Sequence, residues 1–556
     1  MPRFLFHRLF LGLIVWSGWL EQSIAQQPGG LKVPSSIPSS PEASVNLLAD
    51  ANDLLRTGKF ELAIQDYKKI LQATPNVPAA SVGLTRAYLK VGKVTDAYDA
   101  VSKGLQIVDV PSEHVALGEV YFRQGKIVDA EREWVKVINS GHGDARSYLG
   151  VARVREAISQ HKQAKAMIDK AHELDPNDPE VQRFWVQTLS LTARIENLEA
   201  HLAGKGDNDN EETHARLQHQ LDYLKARQND PKRTCHLTGA TTATETPLDI
   251  LQSDPNHIRG YSLTVVINGR KARLMLDTGA SGILVDRGIA EKAGVTKLSE
   301  TRIGGIGDKG DAGGYVALAD TLKIGELEFK NCPVEVLDKR SVLGDDGLIG
   351  SDVFAQFLVD LDFPEEKLKL QELPKRPDEV THPIELQTDQ EGTQTSGDQP
   401  EANTTSDKPA PTGPQDRYVA PEMKSYTSIF RFGHMLLIPT QVNNVPSKLF
   451  LIDTGSFMDN ISLATAREVT KVHEDENTVL MGLSGRVKQV YSADRAMLQF
   501  GHLTEPTDRM TTIDLSSLSQ KVGTEVSGIL GFITLNQLDV KIDYRDGLVD
   551  FEYKPR

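Results

Sequence analysis

Two carboxylates in matching settings are the residues of this sequence best suited to chemistry. Asp277 lies in Leu276-Asp277-Thr278-Gly279-Ala280, and Asp453 lies in Ile452-Asp453-Thr454-Gly455-Ser456. Each triplet closes a mostly apolar run, Ala272 to Leu276 and Leu449 to Ile452. Each is followed by a Gly-apolar-apolar-Gly element, Gly347-Leu348-Ile349-Gly350 and Gly528-Ile529-Leu530-Gly531, whose last glycines lie 73 and 78 residues beyond the respective aspartates. Two carboxyl groups held about 3 Å apart cannot both ionise cheaply, so such a pair shares one proton. The ionised member can then activate a water while the protonated member polarises a carbonyl, which is metal-free amide hydrolysis. Gly279 and Gly455 permit a tight turn and close backbone approach. The hydroxyls of Thr278 and Thr454 can both donate and accept, and so can tie two such loops together.

Strands must position these loops. Tyr261 to Ile267 is a β-branched run, Asn268-Gly269 is a strong hairpin signal, and Arg270 to Leu276 returns toward Asp277. The second unit repeats the design, with Met435 to Val442, Asn443-Asn444, and Ser447 to Ile452 leading to Asp453. Both units finish with short strand pairs, Phe357 to Asp362 with Lys367 to Leu370, and Val540 to Asp543 with Leu548 to Tyr553.

On these residues each unit resembles a retropepsin-like aspartic protease of the bacterial, gag-type kind, over roughly residues 260–370 and 430–553. The resemblance implies two all-β acid-protease units, bounded at 245–373 and 417–556. It implies Asp277 and Asp453 as the catalytic pair, supported by Thr278, Gly279, Thr454 and Gly455. It also implies that Leu348, Ile349 and Gly350, and Ile529, Leu530 and Gly531, pack beside the catalytic loops. No cofactor and no metal is expected. The glycine-rich runs Gly304-Gly305-Ile306-Gly307 to Gly313-Gly314-Tyr315 and Met481-Gly482-Leu483-Ser484-Gly485 stand where the family places its substrate-covering hairpins, or are ordinary surface hairpins. The second unit departs from the pattern at Phe457, where the first has the small polar Ser281. That bulk is expected to narrow the site or weaken the hydrogen bonds around Asp453.

The N-terminal half has another texture. Gly58-Lys59-Phe60 with Ala63 recurs as Gly92-Lys93-Val94 with Ala97 and as Gly125-Lys126-Ile127 with Ala130, at steps of 34 and 33 residues; a weaker fourth copy is marked by Ala164 and Pro176. This pattern resembles tetratricopeptide repeats, an all-α solenoid over 44–179, with residues 180–229 as a helical cap and linker. The glycine suits the turn between two helices, and the alanine lets them approach. Trp134 is read as core. Such an array implies a protein partner or substrate recruited through the repeats.

Arg3, His7 and Arg8 precede an apolar run from Leu9 to Leu20 and a small-x-small site at Ser23-Ile24-Ala25. Residues 1–25 are therefore expected to be a signal peptide, with a linker at 26–43, and the protein to be exported to a periplasm or the exterior. The run is shorter than the roughly 20 residues that span a bilayer, so a retained anchor is the lesser alternative and no stable membrane span remains after cleavage. Cys235 and Cys332 are the two cysteines, and either one disulfide or two thiols fits. The segment 374–416 is rich in Pro, Thr, Ser, Gln and acids and reads as a disordered linker. A flexible linker of about 40 residues reaches roughly 35 Å, which favours an intramolecular pseudo-dimer over pairing between chains.

The chain of 556 residues carries 62 basic and 77 acidic side chains, a net charge of −15, which disfavours nucleic acid as a partner. The histidines show no metal-protease spacing, no Gly-x-Ser-x-Gly elbow occurs, and the glycine run at 304–307 lacks the Lys-Ser/Thr of a phosphate loop. The leading expectation is an exported aspartic endopeptidase acting on a peptide or protein. The alternatives are a non-catalytic peptide-binding scaffold with protease-fold modules, or two separate sites formed by dimerisation.

Overall fold

The computed structural model describes residues 8–10, 41–204, 235–254, 257–305, 312–338, 346–377 and 414–554, apart from 476–477, 483–484 and 488, together with Leu386 and scattered residues of 217–228. The expected signal peptide, apart from the short strand Arg8–Phe10, and most of the expected linker lie outside these residues.

Helix hairpins make up the first part. Helices α1 (Pro41–Arg56), α2 (Phe60–Ala73), α3 (Pro78–Lys90), α4 (Val94–Ile107), α5 (Pro111–Arg123), α6 (Ile127–Val137), α7 (Ala145–Ala157) and α8 (His161–Leu174) alternate along the array. Gly58, Gly92 and Gly125 take φ of +78°, +74° and +73° in the turns inside the first three hairpins. Ser159 takes the same left-handed place in the fourth at φ +58°, which is why that copy reads weakly in the sequence. Ala63, Ala97, Ala130 and Ala164 are all fully buried between helices. Trp134 is also fully buried, its indole N–H donating to the Val115 carbonyl at 3.0 Å, so it is core. Two further helices, α9 (Pro179–Gln187) and α10 (Leu191–Ala203), follow, and Lys90 on α3 pairs with Glu180 on α9 at 2.5 Å. Among the described residues no helix is long and apolar enough to cross a membrane.

The rest is β-rich. Strand His257–Ile267 turns through Asn268 and Gly269, at φ +47° and +78°, into Arg270–Asp277. Positive φ at both central residues is what a tight hairpin matching the strand twist requires. Gly347–Gly350 lies parallel to Leu274–Asp277, and Gly528–Leu530 lies parallel to Phe450–Ile452. The two closing hairpins meet edge to edge, Phe357–Asp362 running antiparallel to Leu538–Asp543 with Leu361 opposite Val540. One sheet thus crosses from the first β-unit to the second, and one buried cluster includes Phe357, Val359 and Leu361 together with Val540, Ile542 and Tyr544.

The strands that carry the triplets are buried on both faces, which explains their unbroken apolar runs. Phe450 and Ile452 point into the shared β core, whereas Leu449 and Leu451 belong to a second cluster with Phe122, Trp134 and Val151 of the helical array. In the first unit the outward Met275 packs instead with Leu284, Ile303 and Leu337 of the same unit. The cysteines are bonded to each other, tying the start of the first β-unit to strand Leu327–Leu337 across 97 residues.

Candidate active site

Strand Arg270–Asp277 delivers Asp277, and strand Lys448–Ile452 ends one residue before Asp453; both aspartates are fully buried. Each loop curls back on its own carboxylate. Gly279 N–H donates to Asp277 Oδ1 at 2.9 Å, and Gly455 N–H donates to Asp453 Oδ1 at 2.9 Å. The loops then grip each other. Thr278 donates its hydroxyl to the Ile452 carbonyl at 2.9 Å, and Thr454 donates its hydroxyl to the Leu276 carbonyl at 3.0 Å. In return Thr454 N–H donates to Thr278 Oγ1 at 3.0 Å and Thr278 N–H to Thr454 Oγ1 at 3.1 Å. Each hydroxyl both donates and accepts, so the four bonds form a closed reciprocal set.

That grip brings the carboxyls against the opposite glycines. A Cβ added to Gly279 would lie 2.7 Å from Asp453 Cγ, and one added to Gly455 would lie 2.4 Å from Asp277 Cγ. No side chain fits at either place, which is the physical requirement behind both triplet glycines. Burial pushes the Asp453 carboxyl up to about 6, against the pull of hydrogen bonds from Asp277 and from the Gly455, Ser456 and Gly279 backbone. Asp453 Oδ2 is buried without another donor among the described residues. Such a site can hold one negative charge and one acidic proton side by side.

Leu348, Ile349 and Gly350 run beside the first loop and Ile529 and Leu530 beside the second, with Asp453 N–H donating to the Leu530 carbonyl at 3.0 Å. Gly531 follows, its N–H donating to Asp459 Oδ1 at 2.7 Å. The structure therefore brings all the sequence-selected residues to one place.

Sequence reasoning missed two buried acids behind the loops. Asp352 accepts from the Ser281 hydroxyl at 2.6 Å and from Gly282 N–H at 3.1 Å. Asp459 accepts from Gly531 N–H and from the Thr534 hydroxyl, both at 2.7 Å. Burial pushes both carboxyls up to about 6. They do the same task from opposite sides. In the first unit the acid follows the Gly-apolar-apolar-Gly strand and grips the triplet loop; in the second it sits on the triplet loop and grips the strand end. The signal was an acid two residues past Gly350 and another six past Asp453, which no periodicity flags.

Phe457 consequently displaces no needed hydroxyl. Its ring stacks on Phe532 at 6.3 Å, and Asp453 still accepts from Gly455 and Ser456. His434 was also missed. Burial lowers it to about 4, which keeps the ring neutral beside the Gly279 backbone despite a hydrogen bond there that favours the charged form. The two glycine-rich runs belong to antiparallel hairpins, Thr296–Ile303 with Ala312–Ile324 and Met481–Gly482 with Gly485–Arg486; the tips at 306–311 and 483–484 lie outside the described residues.

A family model described as an aspartyl protease matches residues 263–353, so that stretch, carrying Asp277 and Gly347–Gly350, is an aspartyl protease family domain. Among curated proteins, the DNA damage-inducible protein 1 of Neurospora crassa is 30% identical over 111 residues, 20% of this chain and 24% of that protein. The UBA domain-containing protein Mud1 of Schizosaccharomyces pombe is 29% identical over 110 residues, 19% of this chain and 32% of that protein. The chain thus spans less than a third of either relative. Among solved structures, a thermophilic TPR protein of Thermus thermophilus, TTC0263, is matched at 19% identity and a TM-score of 0.26, over 33% of this chain and 99% of that one. MamA is matched at 18% identity and a TM-score of 0.20, over 32% and 96% of the two chains. The molecule is a helical-repeat array followed by a β-rich region that contains an aspartyl protease domain.

Proposed function

We propose that the protein is an aspartic endopeptidase whose single site is shared between its two β-units, with Asp277 and Asp453 as the catalytic pair. The observation that carries this reading is the reciprocal threonine grip, with each buried carboxyl lying against the other unit's triplet glycine. The second unit then acts as a second retropepsin-like half, and the product is an intramolecular pseudo-dimer.

The chemistry follows from the shared proton. A water held between the carboxyls gives a proton to the ionised one as its oxygen attacks the peptide carbonyl carbon. The protonated carboxyl donates to the carbonyl oxygen, which takes up the developing charge. The tetrahedral intermediate collapses as the protonated carboxyl gives its proton to the leaving amine and the other carboxyl takes the proton of one of the intermediate's hydroxyls as the carbonyl re-forms, which restores the one-proton state. Burial favours the protonated form of Asp453, so the pair keeps its working proton through weakly acidic pH.

Export to an oxidising compartment is part of the proposal, supported by the signal-like N-terminus and by the Cys235–Cys332 bond. The helical repeats serve as a protein-binding element. The deciding experiment is digestion of casein and a peptide library across pH by the wild type, Asp277→Asn and Asp453→Asn. Each single change is expected to lower cleavage about 10³-fold, within the range for a general acid or base. Cleavage that survives either change would sink the shared site. A wild type inert at every pH would leave a peptide-holding scaffold.

A further inference from the structure

The helical array is in contact with a particular part of the second unit. Helix Ser516–Val522 and the loop to Val526 lie against α5, α6 and α7. Leu515, Leu518 and Val526 are buried in one cluster with Val115, Phe122, Trp134 and Val154. The Thr524 hydroxyl, buried, donates to the Phe122 carbonyl at 2.6 Å, at the end of α5, where Gly125 N–H also donates at 3.1 Å. Phe122 and Phe432 meet edge to face at 6.0 Å.

Two arginines of the array explain the orientation. Arg123 donates to the Ser519 carbonyl at 3.3 Å. Arg153 lies over the Phe122 ring at 4.1 Å, with Nη2 against Gly523, 3.6 Å from where a Cβ would stand. Among the described residues neither guanidinium forms an ion pair with a carboxylate, and burial lowers both from the usual range. They face the carbonyl end of the Ser516–Val522 helix, whose last turn closes on Gly523 at φ +84°. Helix carbonyl ends carry partial negative charge, so this is where unpaired cations are best placed.

Little slack separates that segment from Asp453. Ser527 N–H donates to the Leu449 carbonyl at 2.8 Å, Gly528–Leu530 then pairs with Phe450–Ile452, and the Leu530 carbonyl receives Asp453 N–H. The outer face of the same strand, Leu449 and Leu451, is covered by the array itself. Among the described residues the buried clusters of the first unit include no residue of the array.

We infer that the helical repeats position the second carboxyl: by clamping residues 515–526 they hold strand Gly528–Leu530, and through it the Asp453 loop, in the geometry that meets Asp277. The occupant of this face of the repeats is thus the chain's own second unit. The inference rests on the shared site proposed above, and its test separates the two. In the full-length protein, Leu518→Asp and the near-isosteric Thr524→Val are compared with wild type by hydrogen exchange at the Ile529 and Leu530 amides and by peptide cleavage. Leu518→Asp is expected to speed exchange at those amides at least about 10-fold and to lower kcat by a similar factor, with KM changed less than about twofold. Thr524→Val moves both in the same direction by about threefold, and serves alone if Leu518→Asp does not fold. Faster exchange confined to α5–α7, with Ile529 and Leu530 unchanged, overturns the inference while leaving the protease reading intact. A wild type that cleaves nothing removes that reading, and the exchange data still decide whether the repeats clamp the strand.

Discussion

The two β-units build the same loop from different supports. Around the triplets the correspondence is close: each threonine spans the interface, each glycine accepts the other unit's carboxyl, and each loop lies beside its own Gly-apolar-apolar-Gly strand. One layer out the likeness ends. The first unit closes over its own strand with Leu284, Ile303 and Leu337, is cross-linked by a disulfide, and ties its loop through Asp352. The second borrows the helical array to cover its strand and ties the loop through Asp459. In the proposed mechanism the carboxyl pair requires symmetry because one proton is shared. The scaffold requires only that each loop be held, and several packings do that.

The largest expected difference between the units concerns the disulfide. A cross-link closing a loop of 97 residues restricts the unfolded chain by on the order of 4–5 kcal/mol. Cys235→Ser with Cys332→Ser should therefore loosen the first unit far more than the second, as read by hydrogen exchange at Leu274–Leu276 against Leu449–Leu451. Equal loosening would mean that the shared sheet makes the two units one cooperative body.

Thr278→Val and Thr454→Val test the symmetric layer. Each removes a hydroxyl that donates once and accepts once, leaving a carbonyl and an N–H unpaired, so each should cost about 2–4 kcal/mol in chemical denaturation. The two costs should agree closely. A large gap would show that the apparent symmetry is geometric and not energetic.

The buried acids offer a pH comparison. Asp352 and Asp459 are both raised from 3.8 to about 6. A carboxyl raised in the folded state favours folding most where it is protonated in both states, below about pH 4. That contribution is lost as pH rises through about 6. Melting temperature should therefore fall from pH 4 to pH 7, and Asp352→Asn and Asp459→Asn should each flatten the curve by about the same amount. Flattening by only one would identify the unit that unfolds first.

The smallest effect is expected at Phe457. Replacing it by Ser removes a ring contact worth about 0.5–1.5 kcal/mol and leaves the backbone donors to Asp453 in place. Cleavage by Phe457→Ser should stay within about threefold of wild type, in keeping with that modest loss. A larger gain in rate would show that the ring obstructs the site after all.

Much of this was legible in the sequence where the signal is local. Asn268-Gly269 encodes its own positive φ values, and the glycine of each helical turn does the same at Gly58, Gly92 and Gly125. The fourth turn faded because Ser159 adopts that conformation without advertising it. Asp352 and Asp459 stayed hidden because a lone acid near a glycine is ordinary in a surface turn, and only burial gives it meaning. The apolar run Leu449-Phe450-Leu451-Ile452 announced a strand covered on both faces, yet nothing in it says by what.

The sequence by itself therefore determined two Asp-Thr-Gly loops on apolar strands and a helical array of period near 34, since turn glycines, apolar runs and repeat spacing act within a few residues. Tertiary structure alone decided that Asp277 meets Asp453 within one chain, that Cys235 meets Cys332, and that, among the described residues, the repeats share a buried cluster with the second unit and none with the first. Those pairings depend on complementary surfaces brought together over long separations. Their energy comes from burial and hydrogen bonding between segments, and no local pattern carries it.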